Sequence, residues 1–229
     1  MTRKTVALVP IKAKSERVRA KNFKTFAGRP LFHWVISTLL AMDEIEVVVI
    51  NTDAEDKLKE HGLNELDAGN KLLLRHRREE ICGDHVSMNL VIADDLAAIE
   101  ADRYVMTHAT NPLISAKTIS SALQAYDTCL RDGSADSLFT VNRVQTRFYR
   151  EDGSAVNHDP DNLLRTQDLE PWFEENSNLY IFDRSSFTAT GARIGKAPCL
   201  FESPKLESLD IDNAEDWVLA EALAMRSLP

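Results

Sequence analysis

The sequence predicts an α/β fold: a mostly parallel sheet with helices on both faces. Two observations carry this. Short, β-rich apolar runs alternate along the chain with longer stretches of helical periodicity, the pattern of strand–helix–strand units. The first strand, Thr5-Val6-Ala7-Leu8-Val9-Pro10-Ile11, empties directly into a polar loop, as strands do where an α/β sheet holds ligands beyond their carboxyl ends.

Strands are expected at 5–11, 46–51, 71–74, 103–107, 137–144 and 178–182. Pro30 suits the opening of the first helix, where Leu31, Trp34, Val35, Thr38 and Leu39 recur at helical spacing. A helix over 54–61 stops at Gly62. Ser87 caps a helix carrying Leu90, Val91, Leu96 and Ile99, and Ser115 caps one carrying Ile119, Leu123 and Tyr126. Segment 143–169 breaks the alternation. It is rich in Arg, Asn, Asp and Gly and reads as a hairpin or protruding lobe, the kind of excursion used as a lid or subunit contact. The remainder reads as one domain spanning 1–229.

The 229 residues are 44% hydrophobic and 28% charged, enough for a sizeable core without disulfides. A net charge of −9 argues against general binding to nucleic acid or an anionic membrane. Cys82, Cys129 and Cys199 are odd in number and widely spaced, which suits reduced thiols and a cytoplasmic setting. No apolar leader or membrane-length run is expected, nor any zinc-ligand spacing, G-x-S-x-G or G-x-G-x-x-G motif.

Against this acidic background, Lys12, Lys14, Arg17, Arg19 and Lys21 crowd the first loop. Several cations converging on one volume suit a polyanion such as a nucleoside triphosphate; the alternative is a solvated basic loop. In Leu209-Asp210-Ile211-Asp212, alternate residues of an extended segment project to one side, so Asp210 and Asp212 can present two hard carboxylates to Mg²⁺. Asn213 and Asp216 suit the cap of the helix that follows. Arg165 is a candidate carboxylate clamp, and Gln167 and Asn176 can pair with hydroxyls or amides. Tyr180 can face a cleft or the core. Arg75, His76, Arg77 and Arg78 form a second basic patch, expected to be half solvated.

These segments, in this order, resemble the cytidylyltransferases that activate nonulosonic acids, the CMP-sialic acid synthetases and their relatives. The likeness runs from Val6 to about Leu223. Pro10, Ser15, Arg17, Lys21 and Asn22 match the family's first-loop motif, and Gly28-Arg29-Pro30-Leu31 its Gly-x-Pro-Leu. Asn51-Thr52-Asp53, Arg77 to Asp84, Thr110-Asn111-Pro112-Leu113, Gln167-Asp168-Leu169, Glu175-Asn176 with Tyr180, and Leu209-Asp210-Ile211-Asp212 continue the series. The resemblance implies a Rossmann-like three-layer nucleotidyltransferase and a homodimer whose lobe, here 143–169, reaches the neighbouring subunit. It implies CTP and a keto-sugar acid as substrates and Mg²⁺ as cofactor. Lys12, Ser15, Lys21, Asn22, Arg77 and Ser87 then fall on the nucleotide side, with Lys12, Lys21 and Asp212 at the chemistry. His108, Arg165, Gln167, Asn176 and Tyr180 fall where the sugar acid is held, and Asp210 and Asp212 at the metal.

The departures are informative. Ala13-Lys14 replaces Gly-Gly, which is expected to alter the anion-binding backbone. Lys12 replaces an arginine, His108 a glutamine, and Ser177-Asn178 a Gly-Ala pair. Thr166 is inserted between Arg165 and Gln167. Together they point to a divergent branch that activates a sugar acid other than N-acetylneuraminate. Competing readings are a different sugar or nucleoside triphosphate, and a nucleotide-binding relative that has lost catalysis.

Overall fold

A computed structural model of the chain describes residues 3–15, 18–67 and 69–227. The elements run β1 (Thr5–Leu8), β2 (Thr25–Phe26), β3 (Arg29–Pro30), α1 (Leu31–Leu40), β4 (Val47–Thr52), α2 (Glu55–Glu60), α3 (Leu63–Leu66) and β5 (Leu72–His76). They continue α4 (Met88–Ala98), β6 (Arg103–Met106), α5 (Ala116–Arg131), β7 (Ser137–Val144), β8 (Trp172–Phe182), α6 (Arg184–Thr190), β9 (Pro198–Glu202) and α7 (Ala214–Ser227).

The main sheet has the order β5-β4-β1-β6-β8-β7-β9. Every neighbouring pair is parallel except those made by β8, which runs antiparallel to both β6 and β7. Side chains alternate across each strand, and both faces are dry. Ala7, Val48, Val105 and Ile181 pack under α1 and α5 with Phe32, Val35, Ile119 and Leu123. Val6, Leu8, Tyr104, Met106 and Phe182 meet Ile92 and Leu96 of α4 and Phe187 of α6 on the other face. The three-layer α/β expectation therefore holds.

β1 ends sooner than its apolar run. Pro10 has no N–H to give the ladder, yet the backbone stays extended. Val9 N–H donates to Val49 O at 2.9 Å and Ile11 N–H to Asn51 O at 3.1 Å. Ser87 and Ser115 cap α4 and α5, accepting from Asn89 N and Thr118 N. Gly62, at φ +83°, ends the α2 turn, as expected. In the β2–β3 hairpin the turn residues Ala27 and Gly28 both have positive φ, the tight geometry in which glycine is favoured.

Several elements escape the periodicity. β8 begins at Trp172 rather than near 178 because its first half pairs only with β7, in a solvated ribbon with no buried face to pattern. β9 and α6 are too short to show a period. Segment 145–171 leaves the sheet between the arms of β7 and β8, with Phe148 stacked on Trp172 at 5.1 Å. Among the described residues, no helix is long and apolar enough to cross a membrane.

Candidate active site

The loops after β1, β4, β5 and β6 meet at the carboxyl edge of the sheet. There Pro10, Lys12, Ser15, Lys21, Asn22, Arg77, Met88, His108, Ala109 and Thr110 line a cleft of about 130 Å³. Residues far apart in sequence thus converge, including most of those assigned to the nucleotide side. Arg17 lies outside the described residues.

Each cation in the cleft is held. Lys12 Nζ donates to Asp84 Oδ1 at 2.5 Å, and Asn22 Nδ2 braces the Lys12 carbonyl at 3.1 Å. Lys21 Nζ donates to Ile211 O at 2.5 Å and stands 3.8 Å from Asp212 Oδ1. The Ala13 N–H donates to Asp53 Oδ1 at 2.6 Å. Ala13 and Lys14 are absent from the positive-φ residues, so the backbone here does not use the freedom that glycine would offer. Lys14 and Arg19 are exposed.

Arg77 is the most deeply set of the cations, at 6% exposure. Its Nε donates to Asn51 Oδ1 at 2.9 Å, and Nη2 to Asn51 O at 2.7 Å and Ile11 O at 3.4 Å. Burial lowers its pKa from the ordinary arginine value, opposed by the charges of Asp53 and Asp95. Asn51 in turn donates to Asp95 Oδ1 at 2.8 Å and Asp94 Oδ2 at 3.3 Å. Arg75 ion-pairs with both aspartates, and Arg78 Nε reaches Asp94 Oδ1 at 2.8 Å. The patch at 75–78 is half solvated, as expected: Arg75 and Arg77 turn into this network, while His76 and much of Arg78 stay in solvent. Burial raises the Asp95 carboxyl, while Asn51 and Arg75 pull it back down. The signal was present in the sequence: Asp94-Asp95 interrupts the apolar face of α4, and buried carboxylates require partners.

α7 brings Asp210 and Asp212 to this edge. Phe26, Leu31, Ile211, Trp217 and Ala220 form a third apolar cluster beneath it. Ile211 N–H donates to Thr110 O at 2.9 Å, stitching the aspartates to the loop after β6. Asn213 Oδ1 accepts from Glu215 N and Asp216 N, and Asp216 Oδ2 accepts from Asp212 N and Asn213 N, all at 2.8–3.0 Å. Asn213 and Asp216 thus build the reciprocal cap of α7, as expected. Asp210 Oδ1 is buried without a hydrogen-bond partner. Burial raises this carboxyl, Asp212 raises it further, and Thr110 and Lys21 oppose. No group of three or more His, Cys, Asp or Glu suited to a metal occurs among the described residues. Two hard carboxylates, one with an unanswered oxygen, fit Mg²⁺ shared with phosphate oxygens, the mode in which that ion usually binds.

The residues assigned to the sugar acid do not all meet. His108 lies at the end of β6, in the cleft. Burial lowers its pKa to about 3, helped by the charges of Arg193 and Lys21, so the imidazole is neutral. Tyr180 is fully buried, a core residue stacked on Phe139, with its hydroxyl bonded to Glu175 and, at 3.3 Å, to Ser177 Oγ. Of its two expected orientations the ring takes the core, and only the hydroxyl end looks outward. Arg193, which the sequence reading missed, covers that ring at 3.8 Å, donates to its hydroxyl at 2.9 Å and lies 3.6 Å from Glu175. It lines a second cleft of about 340 Å³ with Ser87, Met88, Asn89 and Glu175. Ser87 faces this second cleft rather than the one holding Lys12.

Asn176 points elsewhere. Its Nδ2 donates to Asn142 Oδ1 at 3.0 Å and Ser203 Oγ at 2.8 Å, and its Oδ1 accepts from Asn178 N at 3.2 Å. It therefore braces the wall of a third cleft, about 830 Å³, between the β7–β8 ribbon and 202–205. A register shift between Phe139 and Val141 creates the turn that aims it, with Ser177 at φ +55°. Arg165 pairs with Asp168 at 2.7 Å on the surface, and Gln167 is exposed on the same turn. Neither lines these clefts.

The sequence profile of the cytidylyltransferase family matches residues 6–221. The N-acylneuraminate cytidylyltransferase of Oncorhynchus mykiss is 27% identical over 98% of this chain, which spans 51% of that protein. The CMP-N,N'-diacetyllegionaminic acid synthase of Legionella pneumophila is 24% identical, with 95% of each chain covered. Thus the chain spans about half the length of several curated relatives and nearly all of another. Among solved structures, CMP:2-keto-3-deoxy-manno-octonic acid synthetase complexed with CTP superposes with a TM-score of 0.68. It is 15% identical, covers 98% of this chain and 100% of its own, and shows the shared fold.

Proposed function

Because the chain belongs to the cytidylyltransferase family, we propose that it transfers CMP from CTP to the anomeric hydroxyl of a keto-sugar acid. The observation that supports this most is the convergence of Lys12, Lys21, Asn22 and Arg77 in one cleft beside Asp210 and Asp212. The hydroxyl oxygen attacks the α-phosphorus, the bond from that phosphorus to the bridging oxygen breaks, and pyrophosphate leaves with the electron pair. No covalent bond to the protein is needed, so the work is alignment and charge neutralisation. Lys12 exchanges Asp84 for a phosphate oxygen. Lys21, anchored on Ile211 O, keeps a positive charge between the phosphates and the Asp210–Asp212 pair. Arg77, fixed by Asn51, offers its guanidinium from the cleft wall. Mg²⁺, held by Asp210 and Asp212, would neutralise phosphate charge and ease deprotonation of the attacking hydroxyl.

His108, neutral and under the charge of Arg193, stands where the resemblance implies a glutamine, which favours a sugar acid other than N-acetylneuraminate. The ribbon segment supports a second subunit as partner. Leu163 and Leu164 are 62% and 51% exposed, and Trp172 and Phe173 lie 40% and 47% open beside them in chain order. Docking on a second copy would cover this surface and carry Arg165 and Gln167 to the neighbour's cleft. Light scattering tests that arrangement: a single-chain mass rules it out. Pyrophosphate release with CTP, Mg²⁺ and a panel of keto-sugar acids tests the reaction. Asp212→Ala is expected to abolish turnover with an unchanged circular dichroism spectrum, and unchanged turnover would remove the metal assignment.

A further inference from the structure

The sequence spacing of the cysteines suggests independent thiols, but the fold brings two of them together. Cys129 lies in the last turn of α5, and Cys199 is the second residue of β9, the edge strand. Their Sγ atoms are 2.9 Å apart although the residues are 70 positions distant in sequence. A bonded pair sits at about 2.05 Å, so the sulfurs need to close by less than about 1 Å. Both residues are only partly buried, which leaves an approach for a small oxidant. Neither takes part in the site described above. Cys82 is bonded through its sulfur to Arg78 O at 3.3 Å, next to β5 at the opposite edge of the sheet.

We propose that Cys129 and Cys199 form a reversible dithiol–disulfide pair that locks the edge strand β9 to helix α5. The oxidant class is a hydroperoxide. The Cys129 thiolate attacks the O–O bond and takes one oxygen as a sulfenic acid, and the other oxygen leaves as hydroxide or alkoxide. The Cys199 sulfur then attacks the Cys129 sulfur, and the sulfenic hydroxyl departs as water with the remaining proton. Two thiols and one hydroperoxide thus give one disulfide, water, and a second water or an alcohol. Burial and the neighbouring Cys129 push the Cys199 thiol up to about 11.

The lock has a structural consequence. β9 leads directly into Ser203, whose N–H donates to Val141 O at 3.2 Å and whose hydroxyl accepts from Asn176 at 2.8 Å. Tying β9 down fixes one wall of the 830 Å³ cleft.

The test is a thiol count, a peptide map and a melting curve on the intact protein before and after stoichiometric hydrogen peroxide. The proposal expects accessible thiols under denaturation to fall from three to one, with a mass loss of two hydrogens and a 129–199 cross-link. It expects a rise in melting temperature of at least about 5 °C, reversed by dithiothreitol. Cys82→Ser should fall from two thiols to none with the same rise. Cys129→Ser and Cys199→Ser should each keep their cysteines unlinked and show no rise. Three remaining thiols, a cross-link to Cys82, or a disulfide only between chains would each overturn it.

Discussion

Asn51→Ala removes the side chain that couples the buried aspartates of α4 to the cleft. Asn51 is fully buried, donates to Asp95 at 2.8 Å, and accepts from Arg77 Nε at 2.9 Å. Alanine leaves both charged groups short of a partner, in a place that water does not readily reach. Hydrogen bonds to charged groups are worth about 1.5–3 kcal/mol each, and an orphaned buried partner carries its full desolvation cost. Losing these two bonds, with the longer one to Asp94 Oδ2 at 3.3 Å adding less, predicts a destabilisation of about 3–5 kcal/mol. At about 2–4 °C per kcal/mol for a chain of this size, the melting temperature falls by roughly 10 °C. Arg77 keeps its main-chain bonds to Asn51 O and Ile11 O, so the guanidinium loosens without leaving the wall. CTP binding should weaken by about tenfold, the equivalent of about 1.4 kcal/mol. Thermal unfolding and nucleotide titration measure the two effects. A melting temperature within about 2 °C of the parent would refute the claim that Asn51 links the two charged layers.

Substitutions at three further positions probe other parts of the account. Burial raises the Asp210 carboxyl, so the folded chain retains a proton that the unfolded chain releases; this contribution is greatest below about pH 3.9 and is lost as pH rises through the folded value. Asp210→Asn should therefore raise the metal-free melting temperature at pH 7 while abolishing the further rise given by Mg²⁺ with CTP, and a lowered metal-free value would contradict it. His108 is depressed to about 3, so the unfolded chain takes up a proton near pH 6.5 that the folded chain refuses, and stability is lost as pH falls from about 6.5 toward 3. His108→Gln should cancel up to about 2 kcal/mol of that loss at pH 5, read from urea denaturation at pH 7.5 and 5; parallel pH slopes for the two proteins would count against it. Ser177→Val, placing a β-branched residue at φ +55°, should cost at least about 1–2 kcal/mol, whereas Ser177→Gly should not lower the melting temperature.

The α/β class was legible because β1, β4 and β6 are buried on both faces and read as apolar runs, while α5 carries a full amphipathic stripe. Caps at Ser87, Ser115 and Asn213 were legible because capping is local chemistry, settled within three residues. The first half of β8 was not, since a two-stranded ribbon in solvent buries no face and imposes no period. Tyr180 shows a second limit: alternation locates its side of the strand but not whether a helix or a cleft lies there. Asp210 and Asp212 could be paired from spacing, whereas their approach to Lys21 depends on how α7 docks on Phe26 and Leu31, a long-range contact. Arg193 carries no local signal at all; its place over Tyr180 exists only once α6 and β9 are folded. The Cys129–Cys199 approach is likewise a product of the helix–edge-strand packing.

The most direct measurement is pyrophosphate release by the purified protein with each of the four nucleoside triphosphates, Mg²⁺ and keto-sugar acids of several classes. The account predicts release with CTP and at least one such acid, dependent on Mg²⁺ and lost in Asp212→Ala. Release with another nucleoside triphosphate in preference to CTP, or CTP binding without release across the panel, would contradict it.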